Sequence, residues 1–130
     1  MREILFKAKR IDNGEWVEGQ YVYITNPLTE DGKPIKHLIC NGTNIFNDLI
    51  DPDTLCQYTG LTDKNGKKIW ENDIVHCGTK LRVSWHHFKA SWVLSKKGWL
   101  YNHFFGEAVE PEDVEVVGNV FDNAELLEVE

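Results

Sequence analysis

The sequence predicts a mainly β fold, and three observations carry that reading. Apolar and polar residues alternate with a period of two through most of the chain. Clusters of Gly, Asn, Asp and Pro interrupt that alternation every few residues, and no segment keeps the 3.6-residue period of a long helix. At 130 residues, 42% hydrophobic and with five Trp, the chain carries enough apolar area for one compact domain.

The elements follow in order. Ile4, Phe6 and Ala8 alternate with Leu5, Lys7 and Lys9, which predicts a strand; Asp12-Asn13-Gly14 supplies a tight turn, and Trp16 to Ile24 returns as the second arm of a hairpin. Asn26 to Pro34, with two prolines, reads as an exposed loop. Lys36 to Cys40 and Thr43 to Ile50 are short strand candidates, turned at Asn41-Gly42, and Asp51-Pro52-Asp53 closes this half. Thr54 to Tyr58 is extended, Asp63-Lys64-Asn65-Gly66 turns it, and Lys67 to Trp70 returns. After a polar turn at Glu71-Asn72-Asp73 come strands at Ile74–Cys77, Leu81–Trp85, Phe88–Leu94 and Trp99–Phe105, separated by Gly78-Thr79 and Lys96-Lys97-Gly98. Val114, Val116 and Val117 begin a last strand reaching Phe121, and Ala124 to Leu127 forms one helical turn capped by Asp122 or Asn123. The expected architecture is an N-terminal β-lobe over residues 1–56 and a C-terminal part over 57–130, a small curled sheet or SH3-like barrel, with at most short helices.

Charge is unevenly spread. The formal net charge is −7, yet Lys64, Lys67, Lys68, Lys80, Arg82, Lys89, Lys96 and Lys97 face only Glu71 and Asp73 between residues 64 and 97, whereas the chain beyond residue 97 has acids and no base. Three cysteines, Cys40, Cys56 and Cys77, without Cys-x-x-Cys spacing, indicate reduced thiols, not a disulfide framework or zinc ribbon. No apolar run long enough for a membrane span and no signal-peptide pattern is present, so a cytoplasmic protein is expected.

His76, Cys77, His86, His87 and His103 are the metal-ligand candidates. Neighbours on a strand point to opposite faces, which separates His76 from Cys77 and His86 from His87, so surface or core placement is expected and no cofactor or metal. Asp63 and Asp73 fall in turns, where carboxylates bond their own backbone; Ser84, Ser91 and Ser95 lack a nucleophile-elbow context. The most suggestive binding residues are Lys80, Arg82, Lys89, Lys96, Lys97, Trp99 and Tyr101, a basic stretch interleaved with aromatics that suits single-stranded nucleic acid. Against it stand the negative total charge and the alternation that turns most of Trp85, Trp92 and Trp99 inward as core. The acidic tail reads as a solvated surface, as a counterpart to the basic middle of this or another copy, or as a negative face offered to a basic partner.

The stretch Gln57 to Val75 resembles the YopX family of phage and prophage proteins from Gram-positive bacteria. The resemblance rests on Tyr58-Thr59-Gly60-Leu61, Asp63-Lys64-Asn65-Gly66-Lys67, Ile69 and Glu71-Asn72-Asp73-Ile74-Val75. It extends to Met1-Arg2-Glu3-Ile4-Leu5-Phe6-Lys7-Ala8 and to Val117-Gly118-Asn119-Val120-Phe121-Asp122-Asn123 with Glu125-Leu126-Leu127, nearly the whole chain. Trp70 stands where an aromatic such as Tyr is usual, Asn72 where Gly is common and Ala124 where Pro is common. The resemblance implies a mostly β protein expressed in the bacterial host cell, and it brings no catalytic residues. The expected role is that of a non-enzymatic accessory protein that contacts a host or phage protein or forms a homo-oligomer. The alternative is a small barrel that binds single-stranded nucleic acid; neither reading involves a membrane.

Overall fold

The structure is a computed structural model, and it describes residues 4–28, 34–40, 48–86, 90–96, 103–105 and 109–127. Eleven strands and three 3₁₀ turns make up the described elements, and the chain divides into two compact units, Met1–Gln57 and Tyr58–Glu130. No helix among the described residues is long and apolar enough to cross a membrane.

In the first unit β1 (Phe6–Lys9) and β2 (Trp16–Leu28) form the expected hairpin, with Phe6 opposite Gly19 and Lys9 opposite Trp16. Its turn closes as the sequence predicts: Gly14 takes φ +72°, and Asn13 Oδ1 accepts the Glu15 N–H at 2.9 Å. β3 (Pro34–Cys40) pairs with the far side of β2, and β4 (Asp48–Leu49) pairs with β3. The expected loop from Asn26 to Pro34 is shorter than predicted, because β2 continues to Leu28, which lies opposite Pro34. A register shift between Ile24 and Leu28 takes up Pro27, and Pro34 sits at a strand start, the two settings in which a missing N–H costs no ladder bond. Of the Thr43–Ile50 strand, residues 43–47 lie outside the described residues and β4 is its remainder.

One face of this sheet carries the first core, Ala8, Ile39 and Ile50, with Phe6, Val17, Tyr21 and Leu55 packed against it. A 3₁₀ turn, η1 (Pro52–Thr54), closes onto β1: Thr54 Oγ1 accepts the Lys9 N–H at 2.9 Å and donates to Asp51 O at 2.7 Å. β5 (Cys56–Thr62) begins in this unit, where Cys56 and Gln57 pair with Lys7 and Phe6.

From Tyr58 onward β5 belongs to the second unit and pairs with β6 (Lys68–Trp70). The register shifts between Tyr58 and Thr62, where Gly60 takes φ +86°. Buried Thr59 serves the backbone there, donating to Ile69 O at 2.7 Å and accepting the Leu61 N–H at 3.1 Å. Asn72 takes φ 69°, a left-handed conformation that a short polar side chain tolerates, and leads into β7 (Asp73–His76). β8 (Lys80–His86), β9 (Ser91–Ser95), β10 (His103–Phe104) and β11 (Glu115–Asn119) complete an antiparallel sheet in the order β10-β9-β8-β7-β11.

The sheet is open. Its outermost strands, β10 and β11, do not pair with each other among the described residues, so the expected mainly β fold holds and the closed barrel does not. β10 pairs over only two residues, and β11 carries a bulge between Val116 and Gly118, after which its pairing with β7 resumes at Gly118 and Asn119. Ile69, Val75, Leu81, Val83, Trp92, Leu94 and Val114 form the second core, each large side chain contributing about 1.5–3 kcal/mol. Two 3₁₀ turns flank β11: η2 (Pro111–Asp113), which the sequence reading did not anticipate, and η3 (Ala124–Leu127), which it did. The Asn123 side chain accepts the Asn119 N–H at 3.2 Å and steadies the turn before η3.

Candidate functional site

Of the basic and aromatic residues singled out in the sequence, Lys80, Arg82 and Lys96 are described, while Lys89, Lys97, Trp99 and Tyr101 lie outside the described residues. Register partners share a sheet face, so the pairing decides what the described ones meet. Lys80 lies opposite His76, and His76 opposite Glu115, placing a base, an imidazole and an acid abreast across β8, β7 and β11. Arg82 donates to Asn72 Oδ1 at 2.7 Å, and Lys96 donates to Thr79 Oγ1 at 2.6 Å. On this same face Ile74, opposite Arg82, is fully buried; η3, with Glu125 in its first turn, lies near β8. Lys64 also pairs with Glu115 at 3.9 Å, an exposed contact of small energetic weight. Glu115 is thus the acidic residue of the C-terminal segment that stands in line with His76 and Lys80.

The tryptophans divide. Trp92 is buried as expected, but its cross-strand neighbour Trp85 is 40% exposed, which corrects its assignment to the core. Alternation does turn Trp85 to the same side as Leu81 and Val83; it lies near the end of β8, where the core no longer covers the sheet. The two indoles meet edge to face, with centroids 4.9 Å apart. Trp99 lies outside the described residues.

Neither turn carboxylate opens onto a site. Asp63 and Asp73 are buried and bond backbone N–H groups, as turn residues do. His76 is exposed, and Cys77 is half-buried against the second core; the side chains of His86, His87 and His103 lie outside those described. Among the described residues no three His, Cys, Asp or Glu side chains gather where a metal ion could sit.

A different surface emerges in the first unit. Ile4 is 59% exposed and Tyr23 53% exposed, and Tyr23 belongs to an aromatic group in which Tyr21 contacts Phe6, Tyr23 and His37 at centroid distances of 6.0, 5.9 and 6.0 Å. Tyr21 Oη and His37 Nδ1 are hydrogen-bonded at 2.7 Å. Burial, and secondarily the neighbouring Tyr23, push the Tyr21 phenol above its ordinary value, so it stays neutral at physiological pH. The opposite face leaves Val22 and Leu49 exposed. Lys7 and Lys9 place their ammonium groups 4.6 and 5.5 Å from the Trp16 ring centre on that face. An open cleft of about 370 Å³ lies nearby, lined by Lys9, Arg10, Ile11, Gly14, Asp51 and Pro52; Arg10 is held there by a two-pronged bond to Asp12. None of the binding residues expected from the sequence lies in this unit. The signal was present in Tyr21-Val22-Tyr23-Ile24: an unbroken apolar run on a strand places apolar groups on both faces.

Comparison with known proteins adds fold and family. The model of a family described as YopX protein matches residues 5–128. A crystal structure of protein EF1440 from Enterococcus faecalis shares the fold with a TM-score of 0.56, at 19% sequence identity, covering 98% of this chain and 99% of that one. No curated protein matches the sequence.

Proposed function

The chain belongs to the YopX family, and on that premise we propose that it is a non-enzymatic phage or prophage accessory protein. It works in the bacterial cytoplasm through protein contacts, with a host or phage protein or with a further copy of itself. The observation that carries this reading is where large apolar side chains stay in water. Of the seven large apolar side chains well exposed among the described residues, five, Ile4, Ile11, Val22, Tyr23 and Leu49, belong to the first unit, while Trp85 and Val117 belong to the second. Exposed apolar and aromatic groups gathered on a rigid sheet are what protein interfaces use as anchors.

The test combines affinity capture from a bacterial host with the solution mass of the purified protein. A protein partner or self-association is expected, weakened in a Tyr23→Ala, Ile4→Ala double variant. Neither a partner nor self-association, with nucleic acid or a metabolite co-purifying instead, overturns the reading.

Exposed Trp85 favours a second reading, in which the second unit binds single-stranded nucleic acid by stacking a base on that indole. On that reading affinity for an oligonucleotide falls steeply as salt rises, and Trp85→Ala removes about 1–3 kcal/mol of binding. No binding at low salt disposes of it.

A further inference from the structure

We infer that Asn65 is a site of spontaneous deamidation that the Asp63 turn holds closed, and that its conversion unfastens β11. Asn65-Gly66 is one of three Asn-Gly pairs in the chain, with Asn13-Gly14 and Asn41-Gly42, the last outside the described residues. Glycine after asparagine leaves its own backbone nitrogen open to the asparagine side chain, because no Cβ shields it. Asn65 and Gly66 are both exposed, and a Cβ at Gly66 would meet nothing within 4 Å, so water reaches the pair.

The chemistry needs only water. The Gly66 backbone nitrogen gives up its proton and attacks the Asn65 side-chain carbonyl carbon; a C–N bond forms, and the side-chain nitrogen leaves as ammonia, taking a proton from solvent. Water then opens the cyclic imide at either of its carbonyls. Opening at the side-chain carbonyl gives aspartate. Opening at the main-chain carbonyl gives isoaspartate, which routes the backbone through the side chain and lengthens it by a methylene. Nothing is oxidised or reduced, and the sum is amide plus water giving acid plus ammonia.

The turn withholds the attacking nitrogen. Gly66 N–H donates to Asp63 O at 3.0 Å, the bond that closes a β-turn, and Gly66 takes φ +79°. Asp63 Oδ1 accepts the N–H groups on either side, those of Asn65 and Lys67, both at 2.9 Å, and Asp63 N–H donates to Lys67 O at 2.8 Å. Attack therefore requires the turn to open first, and the frequency of opening sets the rate. The same turn is tied to the last strand: Asp63 Oδ2 accepts the Val116 N–H at 2.9 Å, and Lys64 N–H donates to Val114 O at 3.0 Å. An extra methylene between Asp63 and Lys67 breaks the spacing on which these bonds depend, so isoaspartate at position 65 loosens β11 as well as its own turn. At Asn13-Gly14 the lock is a different one, Gly14 N–H to Arg10 O at 3.0 Å with Asn13 Oδ1 on the Glu15 N–H, and Asp63 has no part in it.

The experiment ages the full chain at mildly alkaline pH and follows each Asn-Gly segment by peptide-mapping mass spectrometry. Asn65 in the folded chain is expected to convert about tenfold or more slowly than in a synthetic peptide of residues 61–69, because the peptide has no turn to open. Asp63→Asn, checked for folding by circular dichroism, speeds conversion at Asn65 and leaves Asn13 unchanged. Amide exchange followed by NMR reads the consequence. The Val116 N–H loses protection in the isoaspartate chain and keeps it in an Asn65→Asp variant, which has the new charge without the extra methylene. Conversion in the folded chain as fast as in the peptide overturns the inference. Asp63→Asn overturns it too if Asn65 does not speed up, or if Asn13 speeds up equally, the mark of general unfolding. Full Val116 protection in the isoaspartate chain overturns the link to β11.

Discussion

Replacing Asp63 by Ala is expected to destabilise the second unit by about 3–5 kcal/mol, the range for removing one partner from a buried, charge-assisted network. The carboxylate is 5% exposed and accepts three backbone N–H groups, each at 2.9 Å: Asn65 and Lys67 at Oδ1, Val116 at Oδ2. The first two hold the turn from β5 to β6, and the third pins β11, so one side chain closes a local turn and fastens a strand 53 residues away. Ala leaves three donors without that acceptor. Asn keeps one carbonyl oxygen but turns an NH₂ toward one donor group, and its cost falls between Ala and wild type. Denaturant unfolding of the two variants, followed by tryptophan fluorescence, measures the difference; an Ala variant within about 1 kcal/mol of wild type would contradict the network.

The same carboxylate sets a pH dependence. Burial pushes its pKa up, but the N–H donors of Val116, Lys67 and Asn65, with the charge of Lys67, outweigh burial and hold it below the ordinary aspartate value. A folded-state pKa depressed in this way means that the unfolded chain takes up the proton first as pH falls. The stabilisation is therefore complete above the unfolded value of about 3.9 and is lost as pH drops through the lower folded one. Wild type should lose this increment in strong acid, and Asp63→Asn should show a shallower acid limb.

The division between what was legible and what was not follows the range of the interactions. Leu81 and Val83 alternate with Lys80 and Arg82, and both are buried in β8 as the alternation requires. Asp12-Asn13-Gly14 and Asn72 announce their turns because positive φ is a property of single residues. Pro27 misleads, since proline is excluded from a regular ladder but admitted at an irregularity, and the register shift that admits it depends on the partner strand. Trp85 misleads because alternation specifies a face and not whether the core extends that far. The Asp63 bond to Val116, and the alignment of Val22, Leu38 and Leu49 across β2, β3 and β4, exist only through pairing of distant segments.

Gly19→Ala tests that pairing most severely, and it is expected to cost about 4 kcal/mol or more, enough to unfold a unit of ordinary marginal stability. A Cβ at Gly19 would stand 2.2 Å from Cys40 O and 3.0 Å from Cys40 C, and both are backbone atoms of the adjoining strand. A flexible side chain could swing away from such a clash, but here β2 and β3 themselves must separate. Gln20 pairs with Cys40 and Tyr21 with Ile39, so that separation opens the ladder beside Ile39, a fully buried member of the first core. Gly14→Ala is the control. Gly14 has φ +72° and open space where a Cβ would go, so Ala there bears only the left-handed backbone penalty, about 1–2 kcal/mol. Thermal unfolding of the two variants should rank Gly19→Ala far below Gly14→Ala. The opposite order would mean that β2 and β3 do not approach at Gly19 as closely as the structure places them, and the Val22, Leu38 and Leu49 row would lose its geometric basis with them.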